Sequence, residues 1–369
     1  MEIKKISKFI FLQILAVLFG GCSFMPDQTV SVTKTGIAMG TVVSITSYAG
    51  RKGRSESEVK DDLNRQILQI FDETEKIDKD LLSWRSETSE TNHFNQSTQT
   101  TPIPVSDELG GVIRDAIEVS SRSGSALDIT LRPLISIWGI ESYDGKEPYE
   151  PPSVDSVRET GRYTGINLLH LTQAQDGAFL LQKDRPEVQI DLGAVGKGYV
   201  LDAATSILKG SETKGAVFAA GGSILAYGEK DSHWQIGVRD PAGGPADYIG
   251  LLSLEGGAER TYYISTSGGY EKYTESNGRI YEHIIDGRTL YPAEGDLLSA
   301  TVITQNSGLA SDALSTACYL LGIEGSADLL QYYQAEAVFV TKRNEVFISQ
   351  GLKGIFSLTN SAYTLKNME

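Results

Sequence analysis

Between Ser57 and Leu82, the residues Val59, Leu63, Ile67, Phe71, Ile77 and Leu81 recur at helical spacing, with Asp, Glu and Lys filling the intervals. This pattern predicts one long amphipathic helix, whose apolar stripe needs another layer to cover it. Elsewhere the chain offers only short runs of strand character: 41–47, 168–172, 179–182, 188–192, 216–219, 234–238, 262–266, 281–285, 300–304 and two late strands. Ser106 reads as the cap of a second helix, with Asp107 and Glu108 in its first turn and Gly124 at its end. Segments 198–209, stopped by Gly210, and 311–321 read as further helices, and the polar stretch 86–101 as an exposed loop. Helices and strands alternate without a regular βαβ period, so the expected class is α+β rather than a doubly wound sheet.

The beginning of the chain carries a different message. Lys4, Lys5 and Lys8 precede an apolar run, 9–19, broken only by Gln13. Eleven helical residues reach about 16 Å, half a bilayer core, so the run is a signal h-region and not a membrane span. Gly20-Gly21-Cys22 follows and resembles a lipobox, with Phe19 where Leu is usual; an ordinary signal with an incidental cysteine is the alternative. The expected organisation is a lipoprotein signal over 1–21, a lipidated flexible leader over 22–35 and a catalytic body over 36–369. Acylation of Cys22 would anchor the body to the membrane on the extracytoplasmic, periplasmic side. It would also leave Cys318 without a partner, so the core and no disulfide must hold the body together.

The 369 residues include 33 basic and 48 acidic side chains, a net charge of −15. Cleavage before Cys22 removes three lysines and one glutamate and takes the charge to −17. Such a surface excludes nucleic acid as a partner bound through a basic face.

Four segments can carry chemistry. Asp191-Leu192-Gly193-Ala194-Val195-Gly196-Lys197-Gly198 lies between a strand and a helix. Its glycines admit a ligand to the backbone and Lys197 offers a charge to phosphate, although a plain turn reads equally well. Asp312 and Thr316 stand four apart on a helix, which puts a carboxylate and a hydroxyl on one face for Mg²⁺; a helix cap and a back-bonded threonine are the alternative. His283, in Glu282-His283-Ile284-Ile285-Asp286, is a candidate general base or a structural histidine. Asp128 and Thr130 either read a polar ligand edge or cap a turn. Neither zinc-type spacing nor a nucleophile elbow occurs.

Taken together, these segments resemble the FAD:protein FMN transferase (ApbE) family. The matching stretches are Met39-Gly40-Thr41, Ser83-Trp84-Arg85-Ser86-Glu87, Ala126-Leu127-Asp128-Ile129-Thr130, the Asp191–Gly198 segment, Gly221-Gly222, Ser265-Thr266-Ser267-Gly268, His283-Ile284-Ile285-Asp286 and Asp312-Ala313-Leu314-Ser315-Thr316-Ala317, in the family's order. The resemblance implies a T-fold-like body of largely antiparallel sheets packed with helices. It implies that FMN passes from FAD, as substrate, to a threonine hydroxyl of an acceptor flavoprotein, a membrane redox-complex subunit or an exported flavoprotein, with release of AMP. It assigns Mg²⁺ to Asp312, Thr316 and the Ala194 carbonyl, and the FAD site to Met39, Trp84, Ala126, Leu127, Asp128, Asp191, Lys197 and Ile284. His283 becomes the base, with Asp312 as its catalytic companion. Trp84 stacks on a flat ring in this reading or is a core residue. An FAD pyrophosphatase giving FMN and AMP, and a flavin-binding lipoprotein without chemistry, are the competing readings. The sequence departs from the family at Gly287 and Leu290, where Pro and Gly are usual, and at Leu127, where Phe is usual.

Overall fold

A computed structural model describes residues 29–258 and 260–368; the apolar run 9–19 and Cys22 lie outside them. Its centre is a nine-stranded sheet, ordered Thr29–Ala38, Thr41–Gly50, Gly215–Ala220, Ser223–Gly228, Thr261–Ser267, Leu297–Thr304, Glu336–Thr341, Glu345–Ile348 and Thr364–Asn367. Neighbours pair antiparallel except the last two, which run parallel. The fold is therefore α+β with a largely antiparallel sheet, as expected.

Side-chain alternation sorts the layers. Ala216, Phe218 and Ala220 face a core shared with helices Glu56–Lys76, Asp107–Arg122, Gly193–Lys209 and Gly308–Gly325. Val217 and Ala219 face a second core. That core is closed by a three-stranded sheet of His233–Arg239, Tyr248–Glu255 and Phe356–Leu358, which contributes Trp234, Ile236, Leu252 and Phe356. Strand Gly215–Ala220 is buried at every position, which accounts for its unbroken apolar run. Among the described residues no helix is long and apolar enough to cross a membrane.

Helix Glu56–Lys76 opens on a capping box between Ser55 and Glu58. The helix expected to continue to Leu82 changes pitch instead. Ile77–Leu82 is a π turn, closed by Ser83 N–H donating to the Asp78 carbonyl (2.9 Å), and it redirects the chain at Trp84 and Arg85.

Other expectations need correction. The stretch 86–101 is not one exposed loop. It contains helix Glu90–Gln96, capped by Ser89, with Thr91, Phe94 and Asn95 buried. Residues 29–35 of the expected leader form part of an edge strand paired with Thr41–Gly50, so the body begins by Thr29. Segment 188–192 is no strand; only the isolated bridge between Leu131 and Gln189 occurs there. Segment 281–285 is interrupted, because His283 and Ile284 separate strands Arg279–Glu282 and Ile285–Asp286. The third helix starts at Gly193 and not at Gly198, so the glycines of the Asp191–Gly198 segment form its first turns.

Candidate active site

That early start brings two helices into backbone contact. A Cβ on Gly198 would lie 2.0 Å from the Gly308 carbonyl oxygen and 2.7 Å from Asp312 Cβ. Glycine here lets the two helices meet backbone to backbone beside the Asp312 side chain. Asp202, one turn further along, accepts hydrogen bonds from Gly308 N–H (2.7 Å), Leu309 N–H (2.9 Å) and the Ser307 hydroxyl (3.1 Å). It caps helix Gly308–Gly325 from the neighbouring helix and fixes the register in which Asp312 is presented.

Asp312 is buried. Its Oδ2 accepts from Gly198 N–H (3.0 Å) and lies 3.8 Å from Lys197 Nζ; its Oδ1 accepts from the Ser223 hydroxyl (3.2 Å). Burial pushes the carboxyl up, against the pull of Lys197 and these donors. In a regular helix Gly198 N–H points at the Ala194 carbonyl, so Asp312 reaches its partner helix at the turn carrying that carbonyl. Thr316 stands one turn beyond Asp312, its hydroxyl 2.9 Å from that of Ser267, which also meets Ser315 at 2.7 Å. A carboxylate, a hydroxyl and a carbonyl are hard oxygen donors. No cluster of three His, Cys, Asp or Glu exists among the described residues. This is the donor set expected where Mg²⁺ keeps waters and takes substrate phosphate, and not that of an all-protein cage.

A second group surrounds Trp84. The guanidinium carbons of Arg132 and Arg85 lie 3.2 and 3.9 Å from its ring centroid. Trp84 is therefore half-buried between two cations, and not a core residue. Arg132 also lies 3.7 Å from Asp191 Oδ2, while Asp191 Oδ1 accepts from Gly193 N–H (2.9 Å). Burial pushes the Asp191 carboxyl up, opposed by the Gly193 N–H and Arg132. Arg85 pairs with Glu141 at 3.0 Å. Burial works to raise Glu141, yet Lys272, Arg85 and His283 hold it below the usual carboxylate range. Trp84, Asp191 and His283 thus belong to one electrostatically linked wall. Arg132 and Glu141 were not singled out from sequence. Their only local signal is the Arg132-Pro133 start of helix Arg132–Trp138.

His283 Nδ1 faces the Lys272 carbonyl at 3.1 Å, and its backbone N–H donates to the same oxygen at 3.0 Å. The tautomer that donates from Nδ1 leaves Nε2 as a free acceptor. Burial pushes the imidazole down to about 4, with Glu141 opposing, so the ring is neutral at physiological pH.

The remaining expected residues divide. Met39 occupies a two-residue turn with Gly40, both at positive φ (51° and 68°), and its Cε packs within 3.3 Å of where a Gly196 Cβ would stand. Lys197 Nζ donates to the Gly193 carbonyl at 3.3 Å as well as facing Asp312. Asp128 resolves toward the capping alternative. Its Oδ1 accepts from Thr130 N–H (2.7 Å) and the Thr130 hydroxyl (2.6 Å), and its Oδ2 from Ile166 N–H (3.0 Å). Ala126 and Leu127 are buried; the Ala126 carbonyl accepts from Gly287 N–H at 3.1 Å. The Ile284 carbonyl accepts from Ala293 N–H at 2.9 Å. A Cβ at Gly287 would lie 2.3 Å from the Ser125 carbonyl oxygen, and Leu290 adopts φ 69°. The turn beyond His283 therefore keeps a glycine-like conformation at Leu290 and a main-chain bond at Gly287 that proline cannot make. Cys318 is fully buried, its thiol pushed up to about 12 by burial, an inert core residue.

The chain also matches known proteins in sequence and fold. The ApbE family's model matches residues 39–339. The chain is 31% identical over 286 residues to a FAD:protein FMN transferase of Klebsiella pneumoniae (strain 342), covering 77% of this chain and 85% of that protein. It is 27% identical over 340 residues to the FAD:protein FMN transferase of Escherichia coli (strain K12), covering 90% and 92%. Among solved structures, the flavin transferase ApbE of Vibrio cholerae superposes with a TM-score of 0.72 at 25% identity over 89% of this chain and 99% of that one. The ApbE protein of Thermotoga maritima gives 0.74 at 27% identity over 88% and 99%. With the match spanning the edge-strand turn at Met39, the Asp191–Gly198 helix start and the Asp312 helix alike, the chain belongs to the ApbE family.

Proposed function

We propose that the protein transfers FMN from FAD to a threonine hydroxyl of an acceptor flavoprotein and releases AMP. The observation that carries this reading is Asp312, a buried carboxylate held by Gly198 N–H, the Ser223 hydroxyl and Lys197 at the junction of two helices. Storage of a flavin needs no such group. Asp312, Thr316 and the Ala194 carbonyl would hold Mg²⁺, which when bound neutralises charge on the phosphates.

The chain's own residues account for the rest. Arg85 and Arg132, stacked on the Trp84 ring, would supply charge to the phosphates, and a flat ring would reach that aromatic face by displacing one of them. Lys197 supplies a second positive charge next to Asp312. His283 takes the hydroxyl proton at Nε2 as oxygen attacks the FMN phosphorus and the bond to AMP breaks; Lys272 holds the ring by Nδ1. Asp191, fixed by Gly193 N–H and Arg132, orients the helix start that carries Lys197. Asp128, through Thr130 and Ile166, shapes the turn against which Gly287 packs. Met39, Ala126, Leu127 and Ile284 would complete the flavin site, Ala126 and Leu127 through the buried segment that carries Asp128. Cys22 would carry lipid and tether the body to the extracytoplasmic face of the membrane, where exported acceptors are met.

The test uses the full chain in detergent with FAD and Mg²⁺, with and without membrane and exported protein fractions as acceptor source. Covalent flavin is read by in-gel fluorescence and AMP by chromatography. AMP released only with acceptor, together with a fluorescent protein band, supports the transferase. AMP and free FMN without acceptor would instead establish a pyrophosphatase, and no AMP in either arm would leave only flavin binding.

A further inference from the structure

One cleft at the active site is lined by none of the residues assigned above to FAD. It is a narrow opening between Gly221, Gly222, Arg239, Pro245, Tyr270 and Glu271, with about 500 Å³ between atoms once the open solvent at its mouth is counted. It adjoins the Asp312 site, since Glu271 in its wall lies within electrostatic reach of both Lys197 and Asp312. Lys197 and Gly198 address Asp312 Oδ2, whereas Ser223, the residue after Gly222, donates to Oδ1. It also borders the base, because the loop supplying Tyr270 and Glu271 continues into Lys272, whose carbonyl fixes His283. Cleft, carboxylate and base are thus joined through adjacent residues of two short segments.

Three features mark the cleft as made for an occupant with oxygen acceptors. Its Gly221–Gly222 wall is bare backbone. Gly221 has φ 57°, and a Cβ on Gly222 would stand 2.8 Å from the Thr266 carbonyl oxygen, so no side chain can fill the space. Arg239 is half-buried, its guanidinium carbon 4.8 Å from the Tyr270 ring centroid and one amine 3.9 Å from Glu271. The Arg239 Nε is buried with no hydrogen-bond acceptor among the described residues. A buried donor without a partner is costly until a ligand oxygen completes it.

Phosphoryl transfer sets the attacking and leaving oxygens roughly in line on opposite sides of phosphorus. With the nucleotide on the wall around Trp84, the second substrate needs its own approach to Asp312 and His283, and the cleft adjoins both through Ser223, Glu271 and Lys272. We propose that this cleft receives the acceptor polypeptide, with Arg239 donating to a carbonyl or carboxylate oxygen of the segment that bears the hydroxyl and the Gly221–Gly222 wall admitting a small residue beside it. This assignment rests on the transferase reading above and extends it to the recognition of the second substrate.

The probe is the purified protein that shows the covalent flavin band with the wild-type chain. Arg239→Met removes the donor, and Pro245→Trp, on an exposed loop, narrows the mouth without disturbing the core. Both variants should raise KM for that acceptor by about tenfold or more, the worth of one charge-assisted hydrogen bond, while leaving FAD affinity in a flavin fluorescence titration unchanged. Unchanged acceptor KM in both variants overturns the assignment. Loss of FAD affinity in step with acceptor KM also overturns it, by giving the cleft to the nucleotide. Absence of any flavinylated protein with the wild type removes the transferase reading and the cleft's role together.

Discussion

Gly198→Ala tests whether the spacing of two helices sets the active site. The added Cβ would meet the Gly308 carbonyl oxygen at 2.0 Å, where ordinary contact begins at 3.4 Å. The helices must therefore part locally by about 1.4 Å, because the obstacle is backbone and cannot rotate away. The Gly198 N–H to Asp312 Oδ2 bond, now 3.0 Å, then stretches toward about 4.4 Å and is lost. Overpacking of this kind costs about 1–3 kcal/mol. A buried carboxylate deprived of a donor adds about 1.5–3 kcal/mol, so a total near 3 kcal/mol or more is expected. Urea unfolding reads the stability, and AMP release at saturating acceptor reads turnover, which should fall with it as Asp312 shifts. Gly111→Ala is the control. It sits inside helix Asp107–Arg122 with no atom within 4 Å of where the added methyl would stand, and should stabilise by about 0.5–1 kcal/mol. A Gly198→Ala protein with the wild-type urea midpoint and turnover would refute the claim that this contact holds Asp312 in place.

Gly287→Pro restores the family's usual residue yet should destabilise by about 2 kcal/mol, because it deletes the N–H bond to Ala126 and drives a Cβ toward the Ser125 oxygen; an unchanged or raised thermal midpoint counts against this. His283→Ala should lower kcat by about 10²- to 10⁴-fold with FAD affinity preserved in a fluorescence titration, and a loss of FAD binding instead would make the ring structural. In the wild type, the imidazole is neutral and competent above its depressed value and protonated below it. The acid limb of kcat/KM should therefore fall near about 4, and a limb at the ordinary 6.5 would contradict its burial. Lys183→Met keeps the buried stem but strands the carbonyls of Phe94, Pro186 and Val188, each now accepting from Nζ at 3.1 Å. It should cost about 2–5 kcal/mol by urea unfolding, and a change smaller than about 1 kcal/mol would sink the reasoning.

What the sequence revealed depended on whether the decisive signal was local. Helix Glu56–Lys76 and the central strands were legible because amphipathic spacing and uninterrupted apolar runs report the layer each segment contacts. Helix Glu90–Gln96 was not, because its burial comes from elsewhere. Asn95 exchanges two hydrogen bonds with the Ile190 backbone (2.7 and 2.8 Å), and Lys183 supplies a cation to the Phe94 carbonyl at its last turn. These bonds link residues about ninety apart in a stretch that reads as polar loop. The edge strand Thr29–Ala38 escaped for a similar reason. Its alternation is polar, and only register with Thr41–Gly50 makes it a strand. Among the candidate site residues, Asp312, Thr316, Lys197 and His283 lay in segments whose local reading left alternatives open, and the family resemblance gave them their roles. Arg132, Glu141 and Arg239 were not singled out, since each acquires meaning from a partner on another segment.

The net charge illustrates the same division. A chain at −15 looks ill-suited to a ligand bearing two phosphates. Yet Lys197, Arg132, Arg85, Lys272 and Arg239 arrive at the site from separate segments without forming any basic run. Most face a nearby acid: Lys197 faces Asp312, Arg132 faces Asp191, Arg85 faces Glu141 and Arg239 faces Glu271. Paired this way, each cation adds nothing to a charge count over its neighbourhood. Its field nonetheless survives at short range, where screening by salt and by the acidic surface is weakest. A phosphate entering the site competes with those acids for donors already in place. Removing a single acid, as in Glu141→Gln, should therefore tighten FAD binding by freeing Arg85, with the flavin fluorescence titration as the measure. Weaker binding would mean that Glu141 serves to position Arg85 against Trp84 more than it competes for its charge.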